Sequence, residues 1–179
     1  MNTLTELFEH ELRDIYYAEH KLVEALGQLA QQSTEAPIQD AFLEHQNQTR
    51  GHISRLDQVF TALNEQPSGV VCQGVEGLIK EHDQFVKEEQ PTSQLLQFYD
   101  INAGIKSERY EISSYEGLIQ MANQLNRNDV VPMLESNLKE EQAALHKLQG
   151  FAKGYNPLDG GKLEGKGLVE NVKEAFQRG

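Results

Sequence analysis

Four segments of this chain carry an apolar stripe at helical spacing, and each stripe is interrupted near its midpoint by a residue type that ligates metals. The first stripe runs Phe8, Leu12, Ile15, Glu19, Leu22, Leu26, Leu29. The second runs Ile38, Phe42, His45, Thr49, His52, Leu56, Val59. The third is Phe98, Ile101, Ile105, Glu108, Ile112, Tyr115, Ile119, and the fourth is Val131, Leu134, Leu138, Glu141, Leu145, Leu148. Steps of three and four residues make the seam that a helix presents to its neighbours in a bundle. A carboxylate or imidazole in such a seam is costly unless a partner compensates it.

The stripes and their caps predict the helices. The first spans about Thr3 to Gln31, capped by Thr3 or Thr5, with Glu6 and Glu9 complementing the positive end of its dipole. The second is expected to start at Thr34, with Pro37 in its first turn, and to reach about Asn64. A long connection follows, and Val75 to Lys87 within it reads as a short amphipathic helix. The third long helix starts after Pro91, capped by Thr92 or Ser93, and runs to about Gln124. Asn126 to Asp129 forms a tight turn with its own caps, and the fourth long helix holds Pro132 in its first turn and ends near Lys153. Tyr155 to Gly167 is Gly-rich and reads as an extended loop; Leu168 to Phe176 reads as a short helix that docks on the body or on a second copy.

Two short breaks make antiparallel neighbours, and one long connection between them crosses the length of a bundle. Short–long–short is the connectivity of ferritin-like folds. The expected fold is therefore all-α: a ferritin-like antiparallel four-helix bundle over residues 1–154, with a helix-bearing crossover and a tail over 155–179.

Bulk properties restrict the function classes. The 179 residues suit one domain with a core. Net charge is −12, and a surface of that sign repels phosphate backbones, so no nucleic-acid partner is expected. No apolar run approaches the ~18 residues of a spanning helix, and Met1 to Glu6 lack the basic and apolar regions of a signal peptide. Cys72 is the only cysteine, which removes an internal disulfide and a thiolate metal site. A cytoplasmic protein is expected.

Helices of similar length, aligned at their ends, place their midpoints at one level. The polar interruptions should then converge. Several buried carboxylates would repel one another, and divalent cations remove that repulsion. Bundles hold di-iron and di-manganese centres with one Glu from each of two helices and Glu-x-x-His from each of the others. Glu111 lies one turn from Glu108 on nearly the same face. Four carboxylates (Glu19, Glu108, Glu111, Glu141) and two neutral imidazoles (His45, His52) balance two divalent ions. Gln48 is a candidate carbonyl-oxygen ligand without charge. Neither the second nor the fourth helix has Glu-x-x-His: Glu44 is followed at that spacing by Asn47, and Glu141 by Ala144. Mononuclear, asymmetric and empty sites stay open on the sequence. Glu140 reads as solvated, and Tyr16, Tyr110 and Tyr115 are candidates to orient a carboxylate.

At these residues the chain resembles a known family. Asp14-x-Tyr16-x-x-Glu19, Val75-Glu76-Gly77-Leu78-Ile79, His45-x-x-Gln48-Thr49, Glu108-x-Tyr110-Glu111-Ile112-x-x-Tyr115 and Leu138-x-Glu140-Glu141 resemble the bacterial YciE/YciF family of ferritin-like stress proteins, over about Leu4 to Ala152. The resemblance implies a four-helix ferritin-like bundle, commonly dimeric, tied to stress responses, with a rubrerythrin-like dinuclear metal site. It supports Glu19, His45, Glu108, Glu111 and Glu141 as ligands. The family usually has Glu where this chain has Gln48, which removes one anionic ligand; His52 matches a variable position and rests on spacing alone. The expected activity is reaction of a reduced iron or manganese pair with peroxide or dioxygen, zinc being a candidate in a purified sample. The competing expectation is a non-catalytic stress protein with a vestigial site. Iron storage would need a closed shell of subunits, and the acidic outer faces and the tail fit a homodimer better.

Overall fold

A computed structural model describes residues 1–163. It holds five helices: α1 (Leu4–Gln32), α2 (Ala36–Ala62), α3 (Gln73–Glu89), α4 (Ser93–Gln124) and α5 (Val131–Gly154). The four long helices close a ring of neighbours, α1 against α2, α2 against α5, α5 against α4 and α4 against α1. The shorter α3 lies across α4 and α1. Among the described residues, no helix is long and apolar enough to cross a membrane.

The helix ends follow local chemistry. Thr3 caps α1 in a capping box with Glu6, satisfying donors that the first turn leaves free. Thr92 caps α4. Thr34 does not cap α2: Glu35 holds the cap position without a side-chain bond, and the Thr34 amide donates instead to Gln97 Oε1 at 2.8 Å. Pro37 in the first turn lacks an amide, so α2 has one donor fewer to satisfy there. The short helix begins earlier than the apolar pattern suggests. Cys72, buried, accepts from the Val75 amide and starts α3 at Gln73. The turn before α5 supplies no side-chain cap, since Val130 holds that position.

The stripes of α1 and α2 are buried as the sequence predicts, from Phe8 to Leu29 and from Ile38 to Val59. Those of α4 and α5 are turned. In α4, Glu111 and Leu118 are buried, while Ile112 and Ile119 lie on the flank. In α5, Asn137 and Ala144 replace Leu138 and Leu145. A small rotation of each helix about its axis brings both Glu108 and Glu111 inward, and large apolar residues cover the edges.

Two apolar clusters result. One gathers Phe8, Leu12, Ile15, Leu56, Phe60 and Leu134 with their neighbours. The other gathers Leu26, Ile38, Phe42, Ile101, Leu148 and Phe151. Gly104 lets α4 and α5 approach beside the second: a Cβ there would lie 2.8 Å from Leu148 Cδ1. Beyond α5 the expected extended loop instead folds back. Tyr155–Asn156 (β1) pairs antiparallel with Lys162–Leu163 (β2), through a turn in which Gly160 and Gly161 have positive φ. Tyr155 is buried in the second cluster, so the chain just past residue 154 completes the core. The helix expected over Leu168 to Phe176 lies outside the described residues.

Candidate metal centre

The polar layer sits between the two apolar clusters, where four helices each contribute side chains. Glu19 comes from α1, His45 and His52 from α2, Glu108 and Glu111 from α4, and Glu141 from α5; all six are buried. They fall into two groups. One atom each from His45, Glu108, Glu111 and Glu141 lie within 4.8 Å of one another, as do one each from Glu19, His52 and Glu141. Glu141 belongs to both groups.

Short distances tie the layer together. His45 Nε2 lies 3.1 Å from Glu108 and 3.2 Å from Glu141. His52 Nδ1 lies 2.8 Å from Glu141 Oε1 and 3.3 Å from Glu19 Oε2. Yet Glu108 Oε2, Glu111 Oε1 and both Glu141 oxygens lack a hydrogen-bond partner, because the close contacts to Glu141 are misaligned for one. Buried carboxylate oxygens without partners are expensive. Their donor set is oxygen and imidazole nitrogen without sulfur, which suits iron, manganese and zinc.

Residues behind this layer fix the orientation of its side chains. Gln48 Oε1 meets His45 Nδ1 at 3.2 Å, on the edge of the ring opposite Nε2. A neutral ring with its proton on Nδ1 would turn its Nε2 lone pair toward Glu108 and Glu141, ready for a cation between them. Glu140, read as solvated from the sequence, lies 2.9 Å from His52 Nε2 and is clamped by Arg55. Glu140 keeps a third of its side chain in solvent, but Arg55, three residues after His52, draws its carboxylate over the same face. Tyr115 donates to Glu19, and Asn137 donates to the Tyr115 oxygen at 2.9 Å while accepting from Arg55. Tyr16 and Tyr110 serve elsewhere, bonding Asp57 and Asp14 respectively. Sequence reasoning missed Asn137, although it stands three residues after Leu134 and four before Glu141 and so shares their face.

Without a cation the layer balances its charge by protons. Burial pushes Glu108 up to about 8, against the opposing pull of His45. Burial, reinforced by Glu141, Glu19 and Glu108, holds Glu111 well above the carboxylate range. Glu19 is raised by burial too. For His52, burial favours the neutral ring, but the carboxylates of Glu19 and Glu141 outweigh it and lift the ring to about 10. His45 is raised well above an ordinary imidazole, since Glu108 and Glu141 outweigh its burial. Burial would raise Glu141, yet the two histidines beside it hold it ionised, well below the usual range. Glu141, held low between two histidines that are themselves held high, thus anchors the layer.

An all-helical fold around a buried layer of carboxylates and imidazoles is the class of protein these observations define. Residues 3–157 match the family described as a domain of unknown function, DUF892. The chain belongs to that family. It is 35% identical over 153 residues to YciF of Escherichia coli (strain K12), covering 85% of this chain and 92% of that protein. The solved structure of the E. coli stress protein YciF superposes with a TM-score of 0.80 at 34% identity, covering 86% of this chain and 97% of the other. YcfI from Rhodopseudomonas palustris also gives a TM-score of 0.80, at 39% identity, over 83% of this chain and 94% of that one. A protein from Xanthomonas campestris pv. campestris shares the fold at a TM-score of 0.68 and 15% identity, over 98% and 99% of the two chains.

Proposed function

We propose that this chain is a ferritin-like four-helix bundle that holds two divalent iron or manganese ions and reacts with peroxide or dioxygen under stress. The observation that carries this reading is Glu141, which belongs to both groups and turns Oε2 to His45 and Oε1 to His52. A carboxylate in that position can bridge two ions. His45, Glu108 and Glu111 would hold one ion with Glu141; Glu19 and His52 would hold the other. The bound pair would supply electrons to the oxidant at a fixed place.

The protein residues do the remainder. Gln48 and Glu140 each take the distal proton of a histidine, which keeps the other nitrogen free to ligate. Tyr115 and Asn137 hold Glu19 in position. The apolar clusters on either side exclude bulk water. The resemblance described above favours a cytoplasmic homodimer over a shell, and size-exclusion chromatography with light scattering reads that directly.

Metal analysis of protein purified without chelator tests the proposal. About two equivalents of iron or manganese per chain are expected after anaerobic loading. Less than roughly a tenth of an equivalent would leave the second reading, a non-catalytic protein whose layer is held by its own protons; the ion pairs of His52 with Glu19 and Glu140 favour it. Glu108→Gln separates the two. Gln resembles the neutral carboxyl that burial enforces, so a proton-held layer keeps or gains stability. A metal site loses an ion and the melting temperature it confers.

A further inference from the structure

The metal layer is not equally enclosed on its two sides. Glu19, His52 and Glu141 are 0% exposed, whereas His45, Glu108 and Glu111 retain 5%, 1% and 2%. Those three residues line the inner end of a cleft of about 50 Å³ that opens beneath α3. A single water needs roughly 10–15 Å³ on the same measure, so the cleft takes small molecules only.

The surface of its walls is mostly apolar, although polar and charged residues also line it. Leu22 and Leu26 of α1 form one side, and Leu78 and Ile79 of α3 form the roof. Charged groups at the rim are matched in pairs. Lys106 bonds Glu81, and His82 Nε2 lies 2.8 Å from Asp100, so among the described residues no unpaired cation at the rim draws anions inward. The chain's net charge of −12 opposes anions further. α3 is fastened at both ends and spans the cleft between. Cys72 meets Tyr110 at 3.0 Å at its start, and Phe85 stacks on Tyr99 near its end.

We infer that the cleft beneath α3 is the route by which small uncharged molecules reach the metal layer, and that they arrive on the side of His45, Glu108 and Glu111. This rests on the metal reading above. Dioxygen, hydrogen peroxide and nitric oxide fit the size and the mostly apolar walls; superoxide and organic anions do not. The position formed by Glu19, His52 and Glu141 is sealed and takes no outside ligand.

Two measurements test the route. Crystals of the metal-free chain under xenon should show xenon between Leu22, Leu26 and Ile79. Ala25→Phe on α1 and Ala103→Phe on α4, both lining the cleft, should each abolish that density. In iron-loaded protein each variant should slow association of nitric oxide at least tenfold while binding as much iron as the unaltered chain; if one variant fails to fold, the other carries the test. Xenon found elsewhere only, or nitric oxide association at an unchanged rate in a variant that has lost the xenon site, overturns the route and leaves the metal centre standing. An unaltered chain that binds neither iron nor manganese removes the metal reading and this inference together.

Discussion

Glu141 is the residue on which both ligand groups depend, and replacement tests the groups separately. Glu141→Gln should abolish binding of both ions. Glu19→Gln and Glu111→Gln should each weaken one position, and elemental analysis of the three variants distinguishes these outcomes. Glu140→Gln should lower metal affinity by roughly 10–100-fold without touching an ion, because it removes the carboxylate that orients His52. A competition titration against a chelator of known affinity measures that loss.

Protonation at the same residues sets a pH dependence. Glu108 is lifted from 4.5 to about 8 in the folded chain, and His52 from 6.5 to about 10. A group whose folded value is raised stabilises fully below its unfolded value, and that contribution disappears as pH rises through the folded one. Glu19, Glu111 and His45 shift in the same direction. Metal-free protein should therefore lose melting temperature steadily from about pH 4.5 to about pH 10, as scanning calorimetry would show. Glu141 acts oppositely: its contribution is lost as pH falls below the usual carboxylate range. Bound metal replaces the protons, so loaded protein should hold its stability through neutral pH. The protons so displaced make the binding enthalpy depend on the ionisation enthalpy of the buffer, which titration calorimetry reads.

At the scale of the elements, Gly104 permits the approach of α4 to α5. Gly104→Val should cost about 1–3 kcal/mol, because Leu148 and Phe42 must move aside. Chemical denaturation of the metal-free chain gives the value. The seams of α1 and α2 were legible in the sequence because each has one run of buried residues at the right spacing. The rotation of α4 was not. Ile112 and Ile119 satisfy the helical pattern as well as Glu111 and Leu118 do, and only the demand of a second carboxylate inside chooses between them. The same ambiguity hid Asn137 behind Leu138. Convergence of Glu19, His45, His52, Glu108, Glu111 and Glu141 was legible from helix midpoints, since similar lengths and two short connections leave little freedom. The clamp on Glu140 was not, because it needs Arg55 from another helix. Gln48 illustrates the limit further: its spacing from His45 fits either a ligand or a residue supporting the ring, and only the direction of its carbonyl decides.

For the whole molecule, the proposed metal and the fold would be linked. Any ion bound only by the folded chain stabilises it, by about 2.7 kcal/mol when free metal exceeds its dissociation constant a hundredfold. For a chain of this size that is at least ~5 °C in melting temperature, lost on chelation and regained on reloading.

The layer also divides the interior into two oily halves that pack as separate clusters. An ordinary helix frays from its tips inward. Stripped of cations, these rods have their weakest cohesion at the waist, so deuterium should enter the amides around Glu19, His52 and Glu108 sooner than those beside Phe8 or Phe151. Loading would tighten that girdle and restore the usual order of exchange.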